Sequence, residues 1–207
     1  MITSSKTSKV PWNKGKKLPP EVLTSGEVGL LLAGCSNRAP TGVRNRALIA
    51  VLYRGQLRIS ESLALMPKDL DPERGTVRVL HGKGDKARTI GLDEMAWAIL
   101  QRCLDKRRGI GLSNRSPVFC TLQGKPLLPS YCRSLLKRLA KKGGVQKRVH
   151  PHGLRHTGSF EMAEEGFNLH VIQQQLGHSS LATTDRYLRH LAPRQLVEAM
   201  RSRKWKL

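Results

Sequence analysis

Apolar residues recur along most of the chain at helical spacing, and one stretch near the middle alternates instead. Thr24-Ser25-Gly26-Glu27 fits a capping box, in which the two side chains satisfy the first free N–H groups of a helix. Val28, Leu30, Leu31 and Leu32 follow it. A second helix is predicted from Val43 to about Gln56, with Leu48, Val51, Leu52 and Gly55 at helical spacing, and a short helical turn over Ile59 to Leu65. Between Gly75 and Leu92 the period becomes two: Thr76–Leu80 and Ala87–Leu92 are β-branched, alternating segments. The polar turn His81-Gly82-Lys83-Gly84-Asp85-Lys86 separates them, so this region reads as a hairpin. Helical periodicity returns at 93–108, 130–142, 153–165, 168–176, 180–190 and 193–203, with a minor strand predicted at Pro117 to Cys120. The expected class is mainly α with a small antiparallel β-sheet (α+β).

Composition narrows the partner. The 207 residues suit one or two domains and can bury a proper core. With 37 Lys+Arg against 15 Asp+Glu, the formal charge is +22, and so basic a chain is expected to work against a polyanion, nucleic acid first and an acidic membrane surface second. The apolar runs, such as Ala47 to Tyr53, are too short to span a bilayer, and the first twenty residues lack the apolar stretch of a secretory signal. A cytoplasmic, nucleic-acid-associated location is expected. Cys35, Cys103, Cys120 and Cys132 form no C-x-x-C pair, so they read as reduced packing residues.

The basic charge is clustered. Residues 1–20 carry Lys6, Lys9, Lys14, Lys16 and Lys17 with no acid, and Pro11, Pro19 and Pro20 oppose regular structure, so residues 1–23 read as a cationic arm. Arg133 to Arg148 holds seven basic residues and no acid, and Arg201 to Lys206 holds four and none. Any one run is explained by a solvated face. Three together point to a phosphate-binding surface, with Arg133, Lys137, Arg138, Lys141 and Lys142 as candidates for nucleic-acid contact.

Residues 150–187 carry the candidate chemistry. His152 and Arg155 are three apart, so on a helix they share a face and can address one anion, to which the helix N-terminus adds free N–H groups. Leu176-Gly177-His178 reads as a helix stop at glycine that presents an imidazole just beyond it. Tyr187 follows nine residues later, flanked by Thr184, Asp185, Arg186 and Arg189. A tyrosine is ordinarily a packing residue, and Tyr53 and Tyr131 are read that way. Tyr187 differs because His- and Arg-bearing loops precede it. His152 and His156 at i, i+4 raise a metal reading, but no Glu follows His152 as in H-E-x-x-H and the cysteines are remote, so zinc is not expected. The turn at 82–86 lacks the spacing of a P-loop.

His152-Gly153-Leu154-Arg155-His156-Thr157, Leu176-Gly177-His178-Ser179 and Thr183-Thr184-Asp185-Arg186-Tyr187 together closely resemble the catalytic half of the tyrosine recombinases, the phage integrase family. Upstream, Leu57-Arg58-Ile59-Ser60-Glu61 resembles the family's first arginine box, and His81-Gly82-Lys83-Gly84 the hairpin that holds its lysine. One departure is Gln56, where the family commonly has a glycine that permits a tight turn. The resemblance spans about Thr24 to Ala192 and implies the DNA breaking-rejoining catalytic fold. It also implies roles. Tyr187 attacks phosphorus to form a 3′-phosphotyrosyl bond, Arg58 and Arg155 clamp the non-bridging oxygens, and His178 adds a hydrogen bond to them. His152 accepts the tyrosine proton and Lys83 protonates the leaving 5′ oxygen, with Lys86 as the alternative acid. Glu61 orients one of these groups. Because the covalent link conserves bond energy, no ATP, metal or other cofactor is implied.

The expected activity is site-specific DNA integration or excision, on double-stranded DNA, by a homo-oligomer (a tetramer) assembled on it, with no membrane partner. Residues 24–192 are expected to be the catalytic domain. Residues 193–207 are expected to form a tail helix, with Leu191, Leu196, Val197 and Met200 as the apolar stripe, that docks on a neighbouring protomer or closes its own core. Only 57 residues precede Arg58, so a separate N-terminal core-binding domain is expected to be absent. Two other readings stay open: a non-catalytic DNA-binding module of the same fold, and a type IB-like topoisomerase. A basic RNA-binding protein of the ribosomal type explains the charge but not the ordered Arg, Lys, His, Arg, His, Tyr series.

Overall fold

The computed structural model describes residues 21–80, 87–178, 180 and 200–201. The named elements in these residues are α1 (Ser25–Ala33), α2 (Pro40–Tyr53), α3 (Ile59–Ala64), a 3-10 turn (Pro67–Asp69), β1 (Leu70–Asp71), β2 (Thr76–Val79), β3 (Arg88–Gly91), α4 (Glu94–Gly109), α5 (Pro129–Lys142), α6 (Pro151–Glu164) and α7 (Leu169–Leu176). The fold is mainly α with one small antiparallel sheet, as the periodicity predicts. The predicted helices at 180–190 and 193–203 fall outside the described residues, apart from Ser180, which is not helical, and the helical positions 200 and 201.

Local chemistry sets the element ends. The Thr24 hydroxyl accepts from the Glu27 N–H at 3.1 Å while the Glu27 carboxylate accepts from the Thr24 N–H at 2.7 Å, completing the expected capping box. Helix α2 starts three residues earlier than its apolar spacing suggests, because Pro40 occupies the first turn, where a missing N–H costs nothing. From Ala47 to Leu52 it is buried on every side, so it forms the central rod of the core, packed between α4 and α6. Val28, Leu31, Leu57, Leu100, Phe119, Leu136 and Leu154 close around it. A smaller cluster of Ala163, Ile172 and Leu176 joins α6 to α7.

The sheet runs β1-β2-β3, with Val77 opposite Ile90 and Val79 opposite Arg88. Val77, Val79 and Ile90 face the core, so Arg88 shares the inner face. Strand β1, two residues long, is too short to show a period in the sequence.

The minor strand expected at Pro117 to Cys120 does not form; among the described residues the segment has one isolated bridge, Cys120 to Pro126, and one backbone bond from the Val118 N–H to the Leu65 carbonyl at 2.7 Å. Arginine replaces the ladder. Buried Arg107 donates to the carbonyls of Ser113, Ser116, Pro117 and Val118, and buried Arg44 donates to the Cys120 carbonyl at 2.7 Å. These bonds satisfy backbone groups that would otherwise need a partner strand. All four cysteines are free and buried, and burial pushes the Cys103 and Cys132 thiols up to about 11, which keeps them protonated.

Candidate active site

The site is assembled where the C-terminal end of α2, the start of α3, β3 and the α6–α7 pair converge. After Gly55 the chain turns through Gln56, which has φ +51 and is the one non-glycine among the described residues in the left-handed region. This is where the family pattern has glycine, and the turn is made nonetheless. The Gln56 side chain is buried and its amide nitrogen lies 2.9 Å from the Met162 sulfur. The turn sends Leu57 into the core and leaves Arg58 at the N-terminus of α3 with an extended backbone.

Glu61, one turn into α3, is the hub. Its side chain is 1% exposed, and it accepts from the Arg58 backbone N–H at 2.8 Å and the Arg58 guanidinium at 2.7 Å. From β3, Arg88 grips both carboxylate oxygens, at 2.9 and 2.8 Å. From α6, the Arg155 guanidinium lies 3.8 Å away. Burial alone would raise the Glu61 carboxyl; the hydrogen bonds from Arg88 and from the backbone and side chain of Arg58 outweigh it and hold the group at about 2. Three guanidiniums therefore surround one ionised carboxylate.

Arg155 is itself fixed by two carbonyls, donating to Gln56 at 2.5 Å and to Leu176 at 2.6 Å. The second of these lies one residue before Gly177, which ends α7 at φ +61, and the Gly177 and His178 N–H groups return to the last turn of the helix. His178 thus leaves α7 at the turn expected from the sequence. The Arg58 guanidinium approaches the Gly177 carbonyl at 3.5 Å. Burial and then the charges of Arg155, Arg58 and Arg88 push the His178 imidazole down to about 4. His152, in the first turn of α6, is lowered by burial and by Arg155, His150 and Arg58. Both imidazoles are neutral at pH 7. His150 caps α6, its Nδ1 accepting from the Gly153 N–H at 2.7 Å.

Of the expected site residues, Arg58, Glu61, His152, Arg155 and His178 come together. Lys83 and Tyr187, and the alternative Lys86, lie outside the described residues. Arg88 was not anticipated from the sequence, although an arginine on the inner face of a hairpin strand requires a buried partner. No cluster of three or more His, Cys, Asp or Glu suited to a metal occurs among the described residues.

On the flank, Arg133, Lys137 and Lys141 line a groove of about 640 Å3 that continues past Lys147 and Arg148 to His150, two residues short of His152. Arg138 and Lys142, also on α5, do not line it. Lys142 instead donates to the Gly34 carbonyl at 3.2 Å. The charge of Lys147 is balanced by Glu27 at 2.8 Å.

The sequence pattern of the phage integrase family matches residues 21–194, and the chain belongs to that family. It is 33% identical over 190 residues to the tyrosine recombinase XerC of Lactobacillus delbrueckii subsp. bulgaricus, covering 90% of this chain and 64% of the relative. The chain thus spans slightly less than two thirds of that recombinase. The crystal structure of XerA recombinase superimposes with a TM-score of 0.79 at 31% identity, over 95% of this chain and 70% of XerA. XerH site-specific recombinase, solved bound to a palindromic difH substrate as a post-cleavage complex, gives 0.71 at 29% identity, over 88% of this chain and 53% of XerH. No helix of the described residues is long and apolar enough to cross a membrane.

Proposed function

We propose that the chain is the catalytic part of a site-specific DNA recombinase that cleaves and rejoins strands through a 3′-phosphotyrosyl link to Tyr187. The observation that carries this reading is the charge of the cluster among the described residues: Arg58, Arg88 and Arg155 against Glu61 alone, with His152 and His178 neutral. That leaves two positive charges in a half-buried site. Attack of a phenolate on a phosphodiester passes through a phosphorane with two negative charges on its non-bridging oxygens, and fixed donors of matching charge stabilise it most where water is excluded.

In this reading Arg58 and Arg155 hold the phosphate oxygens, and His178 donates a hydrogen bond to them. His152, neutral because burial and then Arg155 oppose its protonation, takes the phenol proton from Tyr187. The P–O bond to the 5′ oxygen breaks as the Tyr187–phosphorus bond forms, and Lys83 protonates the departing oxygen. Reversal by a hydroxyl from another strand completes exchange, which requires protomers assembled on two duplexes, a tetramer in the proposed form. The basic groove of α5 and the arm of residues 1–23 supply phosphate contacts. The tail of residues 193–207 is proposed to dock on a neighbour.

The test is a panel of nicked duplexes carrying inverted-repeat recombination sites, incubated with the chain and resolved on a denaturing gel. A covalent adduct is expected with the unchanged protein and not with Tyr187→Phe. Absence of any adduct across the panel overturns the cleavage reading in favour of a DNA-binding module.

A further inference from the structure

Arg88 lies outside the set of residues expected to touch DNA, yet its guanidinium alone reaches both oxygens of the hub of the site. A carboxylate paired only with Arg58 would cancel the charge that Arg58 offers a phosphate. Arg88 removes that conflict by taking both Glu61 oxygens in a two-point grip from the sheet side. Glu61 can then orient Arg58 through its backbone and guanidinium while the cluster stays positive.

The same side chain reaches the histidine turn. A Cβ added at Gly177 would lie 2.6 Å from Cδ and Nε of Arg88, so the arginine stem runs directly across the backbone that precedes His178. Strand and helix are fixed to each other nearby: the Gln175 amide accepts from the Gly91 N–H at 3.1 Å and donates to the Gly91 carbonyl at 2.9 Å. Arg88 is therefore placed by β3 and α7 together, and it contacts the supports of Arg58 and of His178 at once.

We infer that Arg88 is a positioning residue for strand cleavage, which aligns Arg58 through Glu61 and seats the His178 turn through Gly177. The inference rests on the recombinase reading above, in which those two groups grip the scissile phosphate. Lysine cannot replace it fully, because an ammonium lacks the planar fork that meets both oxygens.

The test compares the full chain with Arg88→Met and Arg88→Lys in two measurements. In the first, the rate of adduct formation on a nicked duplex is expected to fall on the order of 100-fold in Arg88→Met, the scale of losing one aligned donor, with duplex affinity nearly unchanged. Arg88→Lys, which keeps the charge and loses the fork, is expected to recover part of that loss. In the second, the His178 imidazole is followed by NMR without DNA. It faces Arg155 and His152 from α6, Arg58 from the start of α3 and Arg88 from β3, and burial and these charges hold it at about 4. Arg88→Met is expected to raise that titration and Arg88→Lys to keep it low.

Adduct formation by Arg88→Met at the unchanged rate, or a His178 titration that does not move, overturns the inference. If Arg88→Met does not fold, Arg88→Lys decides it: an unchanged cleavage rate there is the overturning result. A chain that forms no adduct with any duplex defeats the recombinase reading instead, and the His178 titration still reports whether Arg88 sets the charge at that turn.

Discussion

Arg155 donates to the main-chain carbonyl of Gln56, and that carbonyl points at the guanidinium because Gln56 is left-handed, at φ +51. The site's most buried cation is thus placed by a turn that an L-residue makes under strain. A single left-handed residue costs roughly 1–2 kcal/mol when it has a Cβ. Gln56→Gly and Gln56→Ala both remove the side chain, but only glycine removes this cost. Urea unfolding is expected to show the glycine variant more stable than the alanine variant by about 1 kcal/mol, the reverse of the order at ordinary positions. Alanine equal to or above glycine would mean that the turn is not strained.

Two other glycines give opposite signs for one substitution. At Gly158 on α6 an added Cβ would run into the Tyr53 carbonyl oxygen, a backbone atom that cannot swing aside, so α2 and α6 would have to separate. Gly158→Ala is expected to destabilise by about 3 kcal/mol, at the upper end of overpacking costs. Gly29, exposed in the middle of α1, meets nothing within 4 Å. Gly29→Ala is expected to stabilise by about 1 kcal/mol through helix propensity alone. Thermal melts of the two variants check both signs.

Stability is expected to fall in two acid windows. The folded His178 sits at about 4 against an ordinary 6.5, so between these values the unfolded chain binds more protons and stability declines as pH falls. His152, lowered in the same direction, adds to this window. Glu61 sits at about 2 against 4.5, so its contribution is complete above 4.5 and is lost as pH falls toward 2. Urea midpoints measured from pH 7 downward are expected to show both declines. His178→Asn is expected to flatten the upper one and Glu61→Gln the lower one. An unchanged pH profile in either variant contradicts its assignment.

Duplex binding is expected to weaken steeply with salt, because lysines and arginines that neutralise phosphates release counterions. Replacing Arg133, Lys137 or Lys141, which line the α5 groove, with alanine is expected to reduce the slope of log affinity against log salt by about 1 each. Lys142, turned toward the Gly34 carbonyl, is expected to change it less. Equal slopes for all four variants would remove the groove from the DNA contact.

Periodic and capped elements were legible in the sequence because their causes are local. The Thr24 capping box, the hairpin and the glycine stop at 177 all formed as their residues dictate. Elements settled by distant partners were not legible. Pro117 to Cys120 looks like a strand, but the carbonyls of Pro117 and Val118 are taken by Arg107 at the end of α4 and that of Cys120 by Arg44, 76 positions away on α2. The site shows the same division. Arg58, Glu61, His152, Arg155 and His178 stand in recognisable order along the chain, whereas Arg88 becomes visible only when Val79 pairs with it and places it inward beside Glu61. The inward position of an arginine was the available signal. Its partner, twenty-seven positions away, was not.

The Gln175 amide, bonded to both main-chain groups of Gly91, has a consequence beyond the site. Among the described residues β3 is an outer strand of the sheet, and a strand with unpaired backbone groups is a template for another copy of itself. By imitating a peptide unit, one glutamine occupies the place that the backbone of a second molecule would take. For a protein proposed to work as an assembly, that blocks one route to self-association, edge-to-edge pairing, which would be indifferent to whether DNA is bound.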